Sequence, residues 1–342
     1  MLAMQTLTVK DNQIINEEGK SLWLQGVAIP SLEWDPNGVQ IAFAFDQAIQ
    51  DWKANIIRMP VHSTFWFGKE KLRAGQKPTL DSSEEACRMR ADRYRKLCDA
   101  LIEQAARQGC YVILDLHEFK APTEVHRHFW LDAAKRYANN PTVLFGLFNE
   151  AHSVSWKVWR DGGRIDSLAK DGVIAENNEH ADLEDTIGHQ ALIDACRSVG
   201  AKNIVLAGGL DWAYDLRGLA EGYCLADPEG NGIVYDSHIY PWKSGWDRKV
   251  LDFAGKYPIL LGEVGCREKC MPFQTSTPDP YIWAPAMISC IQRYRLHWTA
   301  WSFHWQADPN IALDPKYTPT PCWGAFVRAA LRGAKFADTR IW

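Results

Sequence analysis

Short apolar runs recur along the chain, and stretches with helical spacing separate them. The run at residues 143–148 carries no charge, which is typical of a strand buried on both faces of a parallel sheet. Strands are predicted at residues 22–28, 55–60, 111–116, 143–148, 203–207, 233–237, 258–263 and 298–302. Eight strand and helix units after an amino-terminal hairpin predict a single (β/α)8 TIM barrel domain, an α/β fold, over residues 1–342.

The connections between these elements differ in length according to which end of a strand they follow. Helices are predicted at residues 45–53, 87–109, 125–138, 181–199, 247–256, 287–296 and 323–333. Long connections at residues 61–86, 151–180 and 264–280 follow strands, whereas turns from helix to strand are short. The extra chain length is therefore expected as long loops on the carboxyl-terminal face of the barrel, where barrels bind substrate.

Two glutamates stand where apolar runs end. Asn149 and Glu150 follow the run at residues 143–148, and Glu263 follows residues 259–261. The separation, 263 − 150 = 113 positions, corresponds to about three units of roughly 35 residues, so both acids can face each other across a closed barrel. Two carboxylates beside a cleft are the minimum for glycoside hydrolysis, because one protonates the departing oxygen and the other attacks or positions water.

The residues near each glutamate predict different roles. Glu263 is expected near Arg58 and the hydroxyl of Tyr240, and both favour the ionised carboxylate. Glu150 is expected beside His238 without a matching cation, so it is the carboxyl group that carries a proton. Glu263 is therefore predicted to be the nucleophile, and Glu150 the general acid that later acts as the base.

Six further polar or aromatic residues lie near strand ends with these two glutamates. They are Arg58 in IIRMPV, His117 in VILDLH, Asn149 in LFNE, His238 and Tyr240 in SHIY, and Trp301 in TAWSF. In order and placement, the set resembles the eight-residue constellation of glycoside hydrolase family 5, the cellulase family of the 4/7 superfamily. The resemblance extends from about residue 10 to residue 305. One departure is Ala151, where that family usually has proline after the acid/base glutamate.

The resemblance implies retaining hydrolysis of a β-linked glycan, with a glycosyl-enzyme formed on Glu263. It also implies that Asn149 bonds the sugar 2-hydroxyl and that Trp301 forms the floor of the subsite for the reacting sugar. The other roles implied are that Tyr240 and Arg58 hold the nucleophile and that His117 and His238 support the site by hydrogen bonds. No cofactor is required by this mechanism.

Aromatic residues are abundant, with 16 Trp, 11 Tyr and 13 Phe. Flat indole faces suit sugar rings, although most of them pack in cores. Trp66, Trp212 and Trp242 lie on predicted upper loops and are predicted to bind substrate. Further candidates for the same role are Trp156, Trp159, Trp246, Trp283 and Trp305.

Charge and hydropathy restrict the partners. The net charge of −4 provides no basic field for nucleic acid, and no run approaches the 18 apolar residues of a membrane span. The expected partner is a β-linked oligosaccharide or polysaccharide, bound by a monomer. The family resemblance favours a secreted or periplasmic protein whose leader is absent from this sequence, with the cytoplasm as the alternative. Cys266 and Cys270 lie close enough in sequence to pair in an oxidising compartment.

Other function classes remain as alternatives. His117, Glu118, His126 and His128 lie within a dozen positions, as in a metal-dependent barrel hydrolase, but His126 and His128 are two apart at a helix start and cannot both face one ion. No metal site is therefore expected. A sugar-binding barrel without turnover is opposed by the presence of both glutamates. Within the resembled family, an endo-β-1,4-glucanase is expected, with a β-mannanase or an exo-acting β-glucosidase or β-glucanase as alternatives.

Overall fold

The computed structural model describes residues 3–35, 37–69, 81–170, 172–174 and 181–339. In chain order its strands are β1 (Thr8–Lys10), β2 (Gln13–Ile15), β3 (Ser21–Leu22), β4 (Gln25–Ala28), β5 (Ile56–Val61), β6 (Tyr111–Leu116), β7 (Phe119–Lys120), β8 (Val143–Gly146), β9 (Glu150–Ala151), β10 (Gly163–Asp166), β11 (Leu183–Thr186), β12 (Val205–Gly208), β13 (Ile233–Ile239), β14 (Ile259–Val264) and β15 (His297–Ala300). Strands β4, β5, β6, β8, β12, β13, β14 and β15 close into a parallel barrel in that order. The predicted (β/α)8 barrel is confirmed. Each predicted barrel strand begins and ends within three residues of the observed strand.

The α-helices of the described residues lie between the barrel strands and on the loops above them. They are α1 (Val39–Asp46), α2 (Ser63–Trp66), α3 (Glu84–Arg107), α4 (Glu124–Arg136), α5 (Trp156–Asp161), α6 (Gly188–Ser198), α7 (Leu210–Ala213), α8 (Trp246–Lys249), α9 (Pro280–Tyr294) and α10 (Gly324–Leu331). Not one of these helices combines the length and the apolarity that crossing a membrane requires.

Several predicted helix and loop boundaries were wrong. The helix predicted at residues 181–199 begins only at Gly188, because residues 183–186 form β11 and pair with β10. The helix predicted at residues 247–256 is divided at Val250, whose φ of −132° is not helical. The predicted loop at residues 61–86 contains α2 and the start of α3, and its residues 70–80 lie outside the described part of the chain.

The barrel interior is built in layers with opposite polarity. Residues i and i+2 of a strand share a face. The residue two positions after each member of the bottom apolar layer therefore lies directly above it in the barrel. That layer joins the amino-terminal sheet in one buried cluster, which includes Leu7, Ile14, Leu24, Ile56, Ile113, Leu144, Leu206, Val234 and Leu260. Two positions further along the same strands are Gly26, Arg58, Asp115, Gly146, Gly208, Asp236 and Gly262. A layer of charged residues and glycines therefore lies directly above the apolar bottom layer.

A short two-stranded sheet above the barrel fixes the chain that carries Glu150. Strand β7 pairs in parallel with β9, with Phe119 opposite Glu150. The backbone N–H of Asn149 donates to Leu116 O at 2.9 Å, and that of Glu150 donates to Glu118 O at 3.2 Å. The segment after β8 is thus held along the extension of β6.

All nine cysteines are free thiols in this structure. Cys266 is buried beside β14, whereas Cys270 is exposed. The pairing of Cys266 with Cys270 that the sequence left open is not formed.

Candidate active site

Glu263, near the end of β14, is enclosed by three donor groups. Its side chain is 7% exposed, and Oε1 accepts a hydrogen bond from Arg58 Nη1 at 2.9 Å. The hydroxyl of Tyr240 donates to Oε2 at 2.6 Å, and His238 Nδ1 lies 3.7 Å from the same oxygen. Both carboxylate oxygens are therefore fixed by groups that favour the ionised form.

Arg58 connects the strands on which the site is built. Its guanidinium is fully buried, lies 3.0 Å from Asp115 Oδ2, and donates to Asn149 Oδ1. Asp115 Oδ2 also lies 2.9 Å from His117 Nδ1. One buried cation thus holds Glu263, Asp115 and Asn149 in a common network, as the rigid fork of arginine allows.

Glu150 lies in a different environment from Glu263. Its side chain is 13% exposed, and His238 Nδ1 lies 2.8 Å from Oε1. In the described residues no lysine or arginine forms an ion pair with it. One oxygen of Glu150 is therefore held by an imidazole, and the other is free of ion pairs with the cationic side chains of the described chain.

The carboxylates of Glu150 and Glu263 lie close together. A carboxylate oxygen of Glu150, one of Glu263 and a ring nitrogen of His238 all lie within 4.8 Å of one another. Retaining glycosidases separate their two carboxyl groups by about 5–5.5 Å, whereas inverting enzymes require about 6.5–9.5 Å to admit a water. The observed separation between the two glutamates is closer to the shorter distance, that of retaining enzymes.

The charges around Glu263 determine its protonation. Burial by itself raises the pKa of Glu263, but His238, Arg58 and His117 together with the Tyr240 hydroxyl lower it well below 4.5. Burial likewise lowers the pKa of His238, but the carboxylates of Glu263 and Asp236 and the bond with Glu150 raise it well above 6.5. Burial and Glu263 raise the pKa of Tyr240, so its hydroxyl remains a donor.

Asn149 presents a buried donor without a partner. Asn149 is 1% exposed, and its Oδ1 accepts a hydrogen bond from Arg58. Its Nδ2 has no hydrogen-bond partner in the described structure. An unsatisfied buried donor costs about 1–3 kcal/mol. Arg58 fixes the orientation of this amide, which leaves Nδ2 available to an incoming acceptor.

Aromatic rings follow one another across the site. Trp301 is stacked on His117 with ring centroids 5.7 Å apart and an interplanar angle of 6°. Phe119 contacts His117 at 5.6 Å and Trp212 at 6.1 Å, and Trp212 is stacked on His152 at 3.6 Å. Because Phe119 pairs with Glu150 in the β7 and β9 sheet, this aromatic row passes directly beside Glu150.

Comparison with known proteins identifies the family. The model of the cellulase family, glycosyl hydrolase family 5, matches residues 15–307. The chain belongs to glycosyl hydrolase family 5. It is 21% identical over 348 residues to endoglucanase N of Pectobacterium atrosepticum, covering 95% of this chain and 65% of that protein. It is also 21% identical over 348 residues to endoglucanase 5 of Pectobacterium carotovorum subsp. carotovorum, covering 95% of this chain and 57% of that protein.

The family 5 chain spans about three fifths of the length of these two relatives. Among solved structures, it resembles a β-glucanase from Saccharophagus degradans in complex with cellotetraose, with a TM-score of 0.75 and 22% identity. That alignment covers 97% of this chain and 94% of the other. At this identity the likeness establishes the fold.

Several tryptophans predicted to bind substrate belong to the core of this family 5 barrel. Trp66 is fully buried, because α2 packs it against Phe129 at 5.1 Å and its indole N–H donates to Asp132 at 2.7 Å. The prediction for Trp66 is therefore corrected. The same burial excludes Trp159, Trp246 and Trp283. Trp156 and Trp305 are partly buried.

Trp212 and Trp242 are the predicted outer tryptophans that present rings beside the site. Trp212 is 44% exposed. Trp242 is partly exposed and stacked on Tyr240 at 4.5 Å with an interplanar angle of 3°, and Phe273 meets it edge-on at 5.3 Å. Both rings therefore stay in the proposal for substrate binding.

Three residues beside the site were not predicted from the sequence. Asp115 and Asp236 are buried carboxylates within barrel strands, and each stands two residues before a histidine of the constellation. A charge that interrupts a buried strand needs a partner, so the repeated Asp-x-His spacing was a usable signal. Phe119 had no comparable signal, because its place beside Glu150 depends on the β7 and β9 pairing.

The metal alternative depended on histidines that the structure separates. His126 Nε2 lies 2.8 Å from Glu118, and His117 faces Asp115. His128 is 64% exposed beside Glu124. Within the described residues the one group with suitable spacing is Glu150, His238 and Glu263. These side chains already bind Arg58, Tyr240 and one another, so a cation would have to displace those contacts.

Acid titration should reveal the lowered pKa of Glu263. Its contribution to stability is fully present above its ordinary pKa of 4.5 and is lost as pH falls toward the lower folded pKa. We expect the free energy of unfolding, measured by urea denaturation, to fall less steeply between pH 5 and pH 3 in Glu263→Gln than in the wild type. Glu103→Gln, a change at a side chain 73% exposed, is the control. Equal slopes for Glu263→Gln and the wild type would contradict the lowered pKa.

Proposed function

We propose that this family 5 protein is a retaining endo-β-1,4-glucanase in which residues 1–342 act as one catalytic unit. The observation that carries the proposal is the proximity of Glu150 and Glu263, whose carboxylate oxygens lie within 4.8 Å of each other. That spacing suits direct attack by a carboxylate on the anomeric carbon. The endoglucanase names of the relatives support the choice of glucan.

The first step of the proposed reaction forms a glycosyl-enzyme. Glu263, ionised between Arg58 and Tyr240, attacks the anomeric carbon while the bond to the glycosidic oxygen breaks. Glu150 gives its proton to that leaving oxygen and becomes a carboxylate, which His238 stabilises through Oε1. The free Nδ2 of Asn149 donates to the 2-hydroxyl of the sugar, a bond that strengthens in the transition state.

The second step releases the sugar. Glu150, now the base, takes a proton from water, and the resulting hydroxide oxygen attacks the anomeric carbon from the face that the first product left. The bond to Glu263 breaks, and both glutamates return to their starting protonation states. Two inversions leave the anomeric configuration retained.

The aromatic row supports action within a chain of sugars. Trp301 stacks on His117, and the row continues through Phe119, which pairs with Glu150, to Trp212. An extended row of aromatic faces beside the acid/base residue can hold several sugars of one chain. The net charge of −4 agrees with a neutral glycan as substrate.

One activity panel tests the proposed function. We expect release of reducing ends from carboxymethylcellulose together with a rapid fall in viscosity, because endo cleavage shortens chains early. Proton NMR should show the β anomer as the first product from cellotetraose. Preference for glucomannan would favour a mannanase, release of single units without a fall in viscosity would favour exo action, and no release from any β-glycan would favour a binding protein. An α anomer as first product would contradict the retaining mechanism.

A further inference from the structure

His238 has carboxylate oxygens at both of its ring nitrogens. Nδ1 lies 2.8 Å from Glu150 Oε1 and 3.7 Å from Glu263 Oε2. Nε2 lies 3.5 Å from Asp236 Oδ2, which is an ion-pair distance, and makes no hydrogen bond in the described structure. The side chain is fully buried. A neutral imidazole has one N–H and one lone pair, so one nitrogen would direct its lone pair at a carboxylate. Only an imidazolium presents an N–H on both sides.

The carboxylate of Asp236 is buried and accepts a hydrogen bond from the backbone. Asp236 is 6% exposed, and its Oδ1 accepts the backbone N–H of Gly262 at 2.6 Å. A Cβ atom at position 262 would lie 2.4 Å from Asp236 Oδ2. Glycine at position 262 is therefore what allows Asp236 to enter the layer beneath the two glutamates.

The same contact holds an irregularity that presents Glu263. Asp236 pairs with Leu260 and His238 with Glu263, so two steps along β13 correspond to three along β14. Such a bulge frees a backbone N–H from the ladder and re-aims the side chain that follows. Here Asp236 accepts that N–H, and the next residue is Glu263.

Three carboxylates of the described residues face His238. Glu150 faces it from β9, Glu263 faces it from β14, and Asp236 faces it from its own strand β13. Arg58 binds Asp115 and Glu263, and Tyr240 donates to Glu263. In the described parts of the chain, no lysine or arginine forms an ion pair with Asp236. Asp236 also raises the pKa of Arg58 through its charge, but among the described side chains His238 is the one within ion-pair distance of Asp236.

We propose that Asp236 is a positioning residue that keeps His238 as an imidazolium and holds the bulge at Gly262. The inference rests on the proposed retaining mechanism, in which Glu150 alternates between acid and carboxylate. His238 keeps both of its protons throughout, and only the proton of Glu150 moves to the leaving oxygen. A cationic donor to Oε1 stabilises the carboxylate formed in that step. The raised pKa of His238, to which Asp236 contributes, agrees with this role.

Asp236→Asn separates the two functions of the side chain. Asparagine has the same shape and can still accept the Gly262 N–H, but it lacks the charge. We expect the pKa of His238, followed by NMR of labelled histidine, to fall toward its ordinary value of 6.5. With a neutral His238, kcat should drop by about tenfold or more at pH 8 and approach the wild-type value at pH 5. Asp236→Ala also removes the acceptor, so its activity should be low at both pH values.

The control is a buried carboxylate of another ion pair. Asp227 pairs with Arg197 at 2.7 Å with both side chains buried, and Asp227→Asn should lower the free energy of unfolding without changing the shape of the pH profile. A parallel loss of activity at all pH values in Asp236→Asn would overturn the proposal. So would an unchanged pKa of His238 in that variant, or a neutral His238 at pH 7 in the wild type. The wild-type titration needs neither a variant nor a substrate, so it decides this point even if the proposed glucanase activity is absent.

Discussion

Glu263→Ala is expected to lower kcat by at least about 10⁴-fold, because the variant cannot form the glycosyl-enzyme. Added azide should restore turnover of 2,4-dinitrophenyl β-cellobioside, since the small anion fits the space of the missing carboxylate. Azide then attacks the anomeric carbon from the face that Glu263 occupied. The product is therefore the inverted α-glycosyl azide, which proton NMR identifies.

A second glutamate on the same face of the barrel provides the control. Glu118 follows β6 and is held by His126 and the N–H of Ser63, without contact to either proposed catalytic carboxylate. Glu118→Gln should form no glycosyl azide of inverted configuration and should retain turnover without azide. Near-normal activity of Glu263→Ala, or β-azide as its product, would show that Glu263 is not the nucleophile.

Glu150→Ala is expected to have an effect that depends on the leaving group. For cellotetraose, whose leaving sugar must be protonated, kcat/KM should fall by about 10²–10⁴-fold. With a dinitrophenolate leaving group the first step needs little protonation, so kcat/KM should change far less, while slow deglycosylation lowers kcat. Azide should accelerate that second step and give the retained β-glycosyl azide.

The comparison of the two substrates makes this test specific. Asp227→Asn, remote from the site, should affect both substrates equally. An equal loss on cellotetraose and on the dinitrophenyl glycoside for Glu150→Ala would contradict its role as the acid. If the azide products of Glu150→Ala and Glu263→Ala were exchanged, the two roles would be reversed.

Prediction from sequence succeeded where a local pattern has one structural outcome. The runs at residues 143–148 and 259–261 became the buried strands β8 and β14, because uncharged residues in succession can be buried on both faces of a sheet. The helix predicted at residues 181–199 failed at its start. Whether residues 183–186 form a strand depends on pairing with β10, a contact that local spacing does not encode.

The tryptophans show the same limit at the site. Trp66 and Trp212 both lie on connections after strands, and sequence gave no means to separate them. Packing against Phe129 and a bond to Asp132 bury Trp66, whereas Trp212 is 44% exposed beside His152. Burial results from neighbours that are distant in sequence, so composition and position on a loop do not predict it.

From the sequence alone came the barrel and the long loops on its carboxyl-terminal face, because strand period and strand ends are local properties of the chain. The set of eight site residues came from the resemblance to family 5. The tertiary structure decided the rest. It placed carboxylate oxygens of Glu150 and Glu263 within 4.8 Å, and it set Asp236 beneath His238 through the bulge at Gly262. Those distances and charges arise from closure of the barrel, which brings Arg58 against Glu263 although they are 205 positions apart along the chain.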